Sequence, residues 1–227
     1  MIRNIIFDLG GVVVEYSPRE FLVDHFLNER LENILYDITF GSEEWLRLDA
    51  GELTRDEANE IIRQKGAEIG RKYEVDVILN DWYDMLRTKE DTVQLMKRLK
   101  ANGYSLYYLS NISSDVLELL SARKFWKLFD GGVASCEAGI TKPDRRIYRK
   151  LLDDYHLKPS ECVFTDDVKI NAAAASDVGV LGVHFRNARV FARSLAAHGV
   201  TLNRKHPGKK PPEAPAPESA PSAEKQE

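Results

Sequence analysis

Residues 4–11 read NIIFDLGG, an apolar run that ends at Asp8 and is followed by two glycines. A continuous apolar run of this kind predicts a β-strand that is buried on both faces, as in a parallel sheet. A carboxylate at the end of such a strand costs free energy, and no helix cap explains its presence there. The stretch therefore predicts a buried strand that carries a functional aspartate, Asp8, at its end.

Further apolar runs follow downstream, and helical patterns lie between them. Amphipathic patterns at residues 91–103 and 144–157 predict helices in two of these intervals. Strand, helix and strand in repetition predict a parallel sheet with helices on both faces, so we expect an α/β fold, a Rossmann-like three-layer sandwich. The predicted strands cover residues 4–9, 104–110, 131–135, 162–166 and 180–185.

The interval between the first two predicted strands is far longer than a single crossover helix requires. Residues 17–88 carry helical patterns throughout, including a capping box in which Thr54 and Glu57 open a helix. We therefore expect an all-helical subdomain at residues 17–88, inserted into an α/β core that consists of residues 1–16 and 89–203.

The composition excludes several classes of protein. Of the 227 residues, 43% are hydrophobic and 30% are charged, and the net charge of −4 provides no basic excess for binding nucleic acid. No apolar run approaches the roughly 18 residues of a transmembrane helix, so we expect no membrane partner. The first residues lack the features of a signal peptide and only Cys136 and Cys162 are present, which together favour a cytoplasmic location. Residues 204–227 are rich in proline and lack aromatic residues, which predicts a disordered tail.

Polar residues gather where the predicted strands end. Ligands of open α/β sheets bind at the carboxyl ends of the strands, so these residues are candidates for one shared site. Clustered carboxylates repel one another unless a cation lies among them. Mg²⁺ and a lysine together meet that requirement, and Mg²⁺ prefers carboxylates, water and phosphate oxygens, which points to phosphoryl chemistry. The candidate residues are Asp8, Ser110, Asn111, Lys142, Asp166 and Asp167.

Four motifs resemble those of the haloacid dehalogenase-like hydrolase superfamily, in its helical-cap subgroup. In chain order they are FDLGGV at 7–12, LSN at 109–111, KPDRRIY at 142–148 and VFTDDVKIN at 163–171, and the similarity spans residues 4–185. The resemblance implies that the inserted helices close over the active site, exclude water and select the substrate.

The resemblance also implies a nucleophile and a metal site. Asp8 would attack phosphorus and form an aspartyl-phosphate, which divides one difficult displacement into two easier ones. Mg²⁺ would be held by Asp8, by the main-chain carbonyl of Gly10 and by Asp167. Asp166 would be an additional ligand, either directly or through water.

The remaining motif residues would bind the substrate. Ser110 would donate its hydroxyl to a phosphoryl oxygen, and Asn111 would offer an adjacent amide. Lys142 would offset charge on the nucleophile and on the phosphoryl group. Asn171 is expected to support the site rather than to react. Tyr16, Trp45 and Trp82 could face the cavity, but aromatic residues on amphipathic helices are more often core residues.

One position departs from the family pattern. Phosphatases of the family usually carry a second aspartate two residues after the nucleophile, as general acid and then base, and this chain has Gly10 there. Without that acid, substrates with an easily expelled leaving group are favoured, such as sugar 1-phosphates and acyl or aryl phosphates. Similar DLGNV or DLGGV motifs occur in bacterial glucose 1-phosphate phosphatases. Glu15 could supply a proton instead, although an ordinary exposed carboxylate at the hinge is the favoured interpretation.

The expected function is therefore Mg²⁺-dependent hydrolysis of a small phosphomonoester, a sugar phosphate such as a hexose 1-phosphate. A metal-free 2-haloacid dehalogenase is an alternative, although an acidic pair without a cation would repel the nucleophile. A binding or regulatory module without hydrolytic activity is another, because Gly10 replaces the acid. A signalling receiver domain would carry its acidic pair early in the chain, whereas Asp166 and Asp167 come late.

Overall fold

The computed structural model describes residues 1–202, so the predicted tail at 204–227 lies outside the described residues. The fold is the predicted α/β type, built on a five-stranded parallel sheet with the strand order β3-β2-β1-β4-β5. The strands are β1 (Asn4–Phe7), β2 (Ser105–Ser110), β3 (Gly131–Ala134), β4 (Cys162–Asp166) and β5 (Leu181–His184).

The strand β1 lies at the centre of the sheet and is buried along its whole length. Its register places Phe7 opposite Tyr108 of β2 on one side and Thr165 of β4 on the other. The next residue, Asp8, therefore reaches the same sheet edge as Ser110 and Asp166. Because all five strands run parallel, this edge collects their carboxyl ends.

Helices cover both faces of the sheet, so its strands can be apolar on both sides. The core helices are α6 (Glu90–Ala101), α7 (Ser114–Ser121), α8 (Ser135–Ala138), α9 (Arg145–Asp154), α10 (Lys169–Ser176) and α11 (Ala188–Ala197). On one face, Ile5 and Phe7 belong to a buried cluster that includes residues of α6 and α11, and on the other Ile6 packs with residues of α9 and α10.

A second group of helices, which we call the cap, occupies the long interval between β1 and β2. Its members are α1 (Pro18–Phe26), α2 (Glu29–Ile38), α3 (Glu43–Asp49), α4 (Arg55–Glu68), α5 (Lys72–Asp81) and the 3₁₀ turn Trp82–Met85. The predicted capping box is present at the start of α4, where Thr54 and Glu57 satisfy each other's backbone groups. The domain limits at residues 16/17 and 88/89 stay a prediction.

The chain enters and leaves the cap through two adjacent segments. Val14 forms an antiparallel bridge with Thr88. The amide of Glu15 donates to the carbonyl of Arg87 at 2.7 Å, and the amide of Lys89 donates to the carbonyl of Val13 at 2.9 Å. We call this pair of segments the hinge.

The first strand is shorter than the predicted range 4–9, which was wrong at its C-terminal end. After Phe7 the chain turns, because the carbonyl of Leu9 accepts the amides of Val13 at 2.8 Å and Val14 at 2.9 Å. The turn brings Gly10 and Gly11 beside the sheet edge. None of the helices in residues 1–202 has the length and apolar character that crossing a membrane requires.

Candidate active site

Asp8 is buried directly after the central strand, and three donors surround one of its oxygens. Oδ1 accepts hydrogen bonds from the amide of Leu9 at 2.7 Å and from the hydroxyl of Ser110 at 2.8 Å, and it lies 2.9 Å from Nζ of Lys142. Oδ2 has no hydrogen-bond partner within residues 1–202. Burial raises the pKa of Asp8 to about 7, although the charge of Lys142 opposes the change.

Lys142 is completely enclosed and lies between two carboxylates. Its Nζ is 2.9 Å from Asp8 and 2.7 Å from Oδ2 of Asp166, and its side chain is 1% exposed. Burial alone would lower the pKa of Lys142, but the charges of Asp8 and Asp166 outweigh burial and raise it. The lysine is therefore a permanent cation in contact with the candidate nucleophile.

The two members of the acidic pair have different surroundings. Asp166 is fully buried, and it accepts hydrogen bonds from the amide of Val168 at 2.8 Å and from Nδ2 of Asn171 at 3.1 and 3.2 Å, in addition to Lys142. Asp167 lies at the sheet edge and is more open to solvent, and within residues 1–202 no other residue donates a hydrogen bond to its carboxylate. Asn171 thus supports the site through Asp166, as the sequence predicts, while the carboxylate of Asp167 is available to a ligand.

Asn111 was expected to offer its amide to the substrate, and the structure gives that amide a second task. Its Oδ1 accepts from the backbone amide of Lys142 at 2.7 Å, and its Nδ2 donates to the carbonyl of Lys142 at 3.0 Å. This reciprocal pair fixes the backbone that carries the lysine. Asn111 also lines the cavity described below, so its role in binding the substrate stays a prediction.

The site fits a divalent cation. One carboxylate oxygen from each of Asp8, Asp166 and Asp167 lies within 4.8 Å of the other two. Burial and then the charge of Asp166 raise the pKa of Asp167, while the charges of Lys142 and Lys89 oppose the change. Asp8 and Asp167 are the carboxylates with oxygens to spare, while those of Asp166 already have donors.

Gly11 makes room for that carboxylate group. Its φ of +70° favours glycine, and a Cβ at this position would lie 2.2 Å from Oδ2 of Asp167. The side chain of Asp167 therefore occupies the space that any other residue at position 11 would need. Gly11 is thus needed for the packing of the acidic group, while the role of the Gly10 carbonyl as a metal ligand stays a prediction.

A cavity of about 190 Å³ lies between the sheet edge and the cap. Its polar end, which we call the floor, is formed by Asp8, Ser110, Lys142 and Asp167, with Asp166 buried beneath. The wall away from Asp8 combines the polar residues Tyr16, Asp49 and Ser113 with apolar side chains, which are those of Val14, Trp45, Trp82, Leu86, Val116 and Leu120. Trp45 and Trp82 are core residues, as expected for aromatic residues on amphipathic helices, and they line the cavity as well.

An arginine of the cap joins this wall to the core. Arg55 stacks on the rings of Trp45 and Trp82, with its guanidinium carbon 4.8 and 4.9 Å from the ring centroids. Its Nε lies 3.0 Å from Oδ2 of Asp115 on α7, and its Nη2 donates to Ser113 at 3.1 Å. We call Trp45, Asp49, Arg55 and Trp82 the roof.

Sequence reasoning missed Asp49 and Arg55. Asp49 ends α3 and lines the same cavity as Asp8. The available signal was weak, a carboxylate at the end of a short cap helix with a glycine two residues later. Glu15, which the sequence analysis considered as a proton donor, is instead paired with Lys89 at 2.8 Å, and its side chain is 48% exposed outside this cavity. The hinge interpretation of Glu15 is the one that fits.

Comparisons with known proteins agree with the four motifs. A family model described as haloacid dehalogenase-like hydrolase matches residues 2–179. The chain is 30% identical to the sesquiterpene phosphatase astK of Aspergillus oryzae over 80% of this chain and 89% of that protein. It is 28% identical to the D-ribitol-5-phosphate phosphatase of Bacteroides thetaiotaomicron over 79% and 89% of the two chains. It spans less than half the length of several other curated relatives.

Solved structures of similar fold include a HAD family enzyme from Bacteroides thetaiotaomicron in complex with magnesium and inorganic phosphate. The TM-score is 0.63 and the identity is 25%, over 79% of this chain and 92% of that chain. That protein therefore holds both groups on the same type of scaffold.

Proposed function

The chain belongs to the haloacid dehalogenase-like hydrolases, and from this premise we propose that it is a Mg²⁺-dependent phosphatase that hydrolyses small phosphomonoesters through an aspartyl-phosphate. The contact between Lys142 and Asp8, 2.9 Å long and shielded from water, is the observation that carries the proposal. A buried cation beside a buried nucleophile suits a substrate that brings additional negative charge.

The metal site is the second part of the proposal. Asp8 and Asp167 would hold the ion, together with the carbonyl of Gly10 and with Asp166 nearby. When bound, Mg²⁺ would neutralise negative charge on the phosphate and on the carboxylates. The raised pKa values of Asp8 and Asp167 agree with this assignment, because burial disfavours the ionised form of both carboxylates and a bound cation would stabilise it.

In the proposed reaction each residue of the floor has a separate role. Ser110 and Lys142 position the phosphoryl group against Asp8. An oxygen of Asp8 forms a bond to phosphorus while the bond from phosphorus to the ester oxygen breaks and the alcohol leaves. Water then attacks phosphorus, the bond to Asp8 breaks, and inorganic phosphate is released. Lys142 stays protonated throughout and stabilises the transferred charge.

For the alcohol part of the substrate we favour a small apolar group. Apolar side chains form much of the wall, and beyond the floor Tyr16, Asp49 and Ser113 are the polar groups that could pair with the hydroxyls of a sugar, so burying further, unpaired hydroxyls there would cost free energy. The similarity to a sesquiterpene phosphatase agrees with this choice. A sugar phosphate such as a hexose 1-phosphate is the second candidate, favoured by the missing acid at Gly10 and by the relative that acts on D-ribitol 5-phosphate.

The test is a phosphatase assay on short apolar alkyl phosphates, glucose 1-phosphate and p-nitrophenyl phosphate. We expect turnover with Mg²⁺, loss of turnover on chelation and recovery when Mg²⁺ is restored. Asp8→Asn should lower kcat by at least about 10⁴-fold, because it removes the nucleophile. Asp154→Asn, an exposed change outside the site, is the matched control and should leave kcat unchanged.

Other outcomes identify the alternatives. Phosphate binding without turnover of any ester would favour a binding or regulatory module. Halide release from 2-haloacids without a metal would favour the dehalogenase. A preference for glucose 1-phosphate over apolar esters would favour the sugar phosphatase. The cytoplasmic location stays a prediction.

A further inference from the structure

The end of α3 is held against the core directly above the site. The hydroxyl of Ser135 donates to the backbone carbonyl of Asp49 at 2.5 Å. Two residues later, Gly51 has a φ of +75° and approaches Cys136 so closely that a Cβ would lie 2.2 Å from its carbonyl oxygen. These contacts fix the backbone of Asp49, and Asp49 lines the same cavity as Asp8.

The carboxylate of Asp49 has no partner of its own. Within residues 1–202, no group donates a hydrogen bond to its side chain or forms an ion pair with it. Burial raises the pKa of Asp49 to about 7, with the charges of Arg55 and Lys142 opposing the change and that of Asp115 adding to it. The group can therefore hold or release a proton near neutral pH.

Asp49 lines the same cavity as the position that lacks an acid. A Cβ on Gly10 would face Tyr16, 3.4 Å from its Cβ. Burial and then the charge of Asp49 raise the pKa of Tyr16. Gly10, Tyr16 and Asp49 all line the cavity, whereas Glu15 does not.

We infer that Asp49, supplied by the cap, is the acid and base that position 10 lacks, an inference that rests on the proposed phosphatase function. In the first step the carboxyl group of Asp49 gives its proton to the ester oxygen as the bond from phosphorus to that oxygen breaks. In the second step the carboxylate takes a proton from the water that attacks phosphorus. That step breaks the bond to Asp8, and Asp49 is again protonated.

The test compares leaving groups in the isosteric variant Asp49→Asn. The parameter kcat/KM reports the steps up to loss of the alcohol. An alkoxide needs a proton as it leaves and nitrophenolate does not, so kcat/KM should fall by about 100-fold to 10,000-fold for an alkyl phosphate and by no more than about threefold for p-nitrophenyl phosphate. With p-nitrophenyl phosphate the variant should also show a burst of about one nitrophenol per enzyme, because the second step is slowed.

A structural role for Asp49 would give a different result. Equal losses of kcat/KM on both esters, or no loss on either, would overturn the inference, and so would the absence of a burst. Glu52→Gln, which changes an exposed carboxylate near the same loop, is the matched control and should leave both parameters unchanged. If the wild-type protein hydrolyses neither ester with Mg²⁺, the proposed function itself fails, whereas a uniform effect in an active enzyme refutes the role of Asp49 alone.

Discussion

The floor and the roof of the cavity are built in different ways. In the floor, charges meet directly: Lys142 contacts Asp8 and Asp166, and every oxygen of Asp166 has a donor. In the roof, a cation stacks on aromatic rings, and the carboxylate of Asp49 is left without a partner. The floor depends on charge compensation inside a rigid sheet, and the roof depends on the packing of two subdomains against each other.

The largest stability effect is expected in the floor, from Lys142→Met. Removing the ammonium leaves two buried carboxylates unpaired, so the free energy of unfolding at pH 7 should fall by about 3–5 kcal/mol. Lowering the pH should recover part of the loss, because the carboxylates then become protonated and neutral. Urea denaturation at several pH values measures both effects.

Lys150→Met is the matched control for that experiment. Lys150 also pairs with an aspartate, Asp154 at 3.0 Å, but the pair is exposed. Loss of this exposed ion pair should lower the free energy of unfolding by no more than about 1 kcal/mol. Equal destabilisation by the two variants would contradict the view that the floor depends on a buried charge balance.

A smaller effect is expected in the roof, from Arg55→Met. The change removes the stacking on Trp45 and Trp82 and the contact with Asp115, so stability should fall by about 1–3 kcal/mol. Because Arg55 joins the cap to the core, we also expect KM to rise more than kcat falls. Steady-state kinetics and thermal melting measure the two consequences.

Arg63→Met is the control for the roof. Arg63 pairs with Asp76 at 3.0 Å within the cap, and both side chains are about one-third exposed. The Arg63→Met variant should leave KM unchanged. A rise of KM in both variants would indicate a general loosening of the cap rather than a specific contact between the cap and the core.

The smallest effect concerns pH and Asp115. Burial alone would raise the pKa of Asp115, but the hydrogen bond from the hydroxyl of Tyr83 and the charge of Arg55 hold that pKa below its usual value. A carboxylate whose folded pKa is lowered stabilises the fold above its unfolded pKa, about 3.9, and this contribution is lost as the pH falls through the folded value. The stability difference between wild type and Asp115→Asn should therefore narrow below about pH 4.

Denaturation of both proteins from pH 3 to pH 7 checks that expectation. If the stability difference between wild type and Asp115→Asn stays constant across this range, the fold does not favour the ionised form of Asp115.

The floor could be predicted from the sequence because parallel topology places the ends of all strands at one edge. Once the positions of β1, β2 and β4 are known, it follows that Asp8, Ser110 and Asp166 lie close together. The roof could not be predicted in this way. The contacts of Arg55 with Asp115 and of Ser135 with Asp49 join segments that are far apart in the chain. The local hydrophobic pattern of a segment does not predict how the cap packs on the core.

Even in the floor, some roles could not be read from the motifs. The reciprocal hydrogen bonds between Asn111 and the backbone of Lys142 depend on side-chain orientation, which a strand pattern does not specify. The different surroundings of Asp166 and Asp167 also arise from local geometry. Adjacent acids in sequence point to different partners because successive residues leave a strand in different directions.

The hinge makes the cap a removable unit. Because Val14 and Thr88 are bridged neighbours, a tight turn could connect them directly without altering the register of β1 or any other strand. Insertion of a foreign segment at this point would likewise leave the sheet untouched. Exchange of this one continuous piece of chain would therefore replace the cap side of the cavity and, with Asp49, the proposed acid and base, while the strands that carry Asp8, Ser110 and Asp166 stay in place.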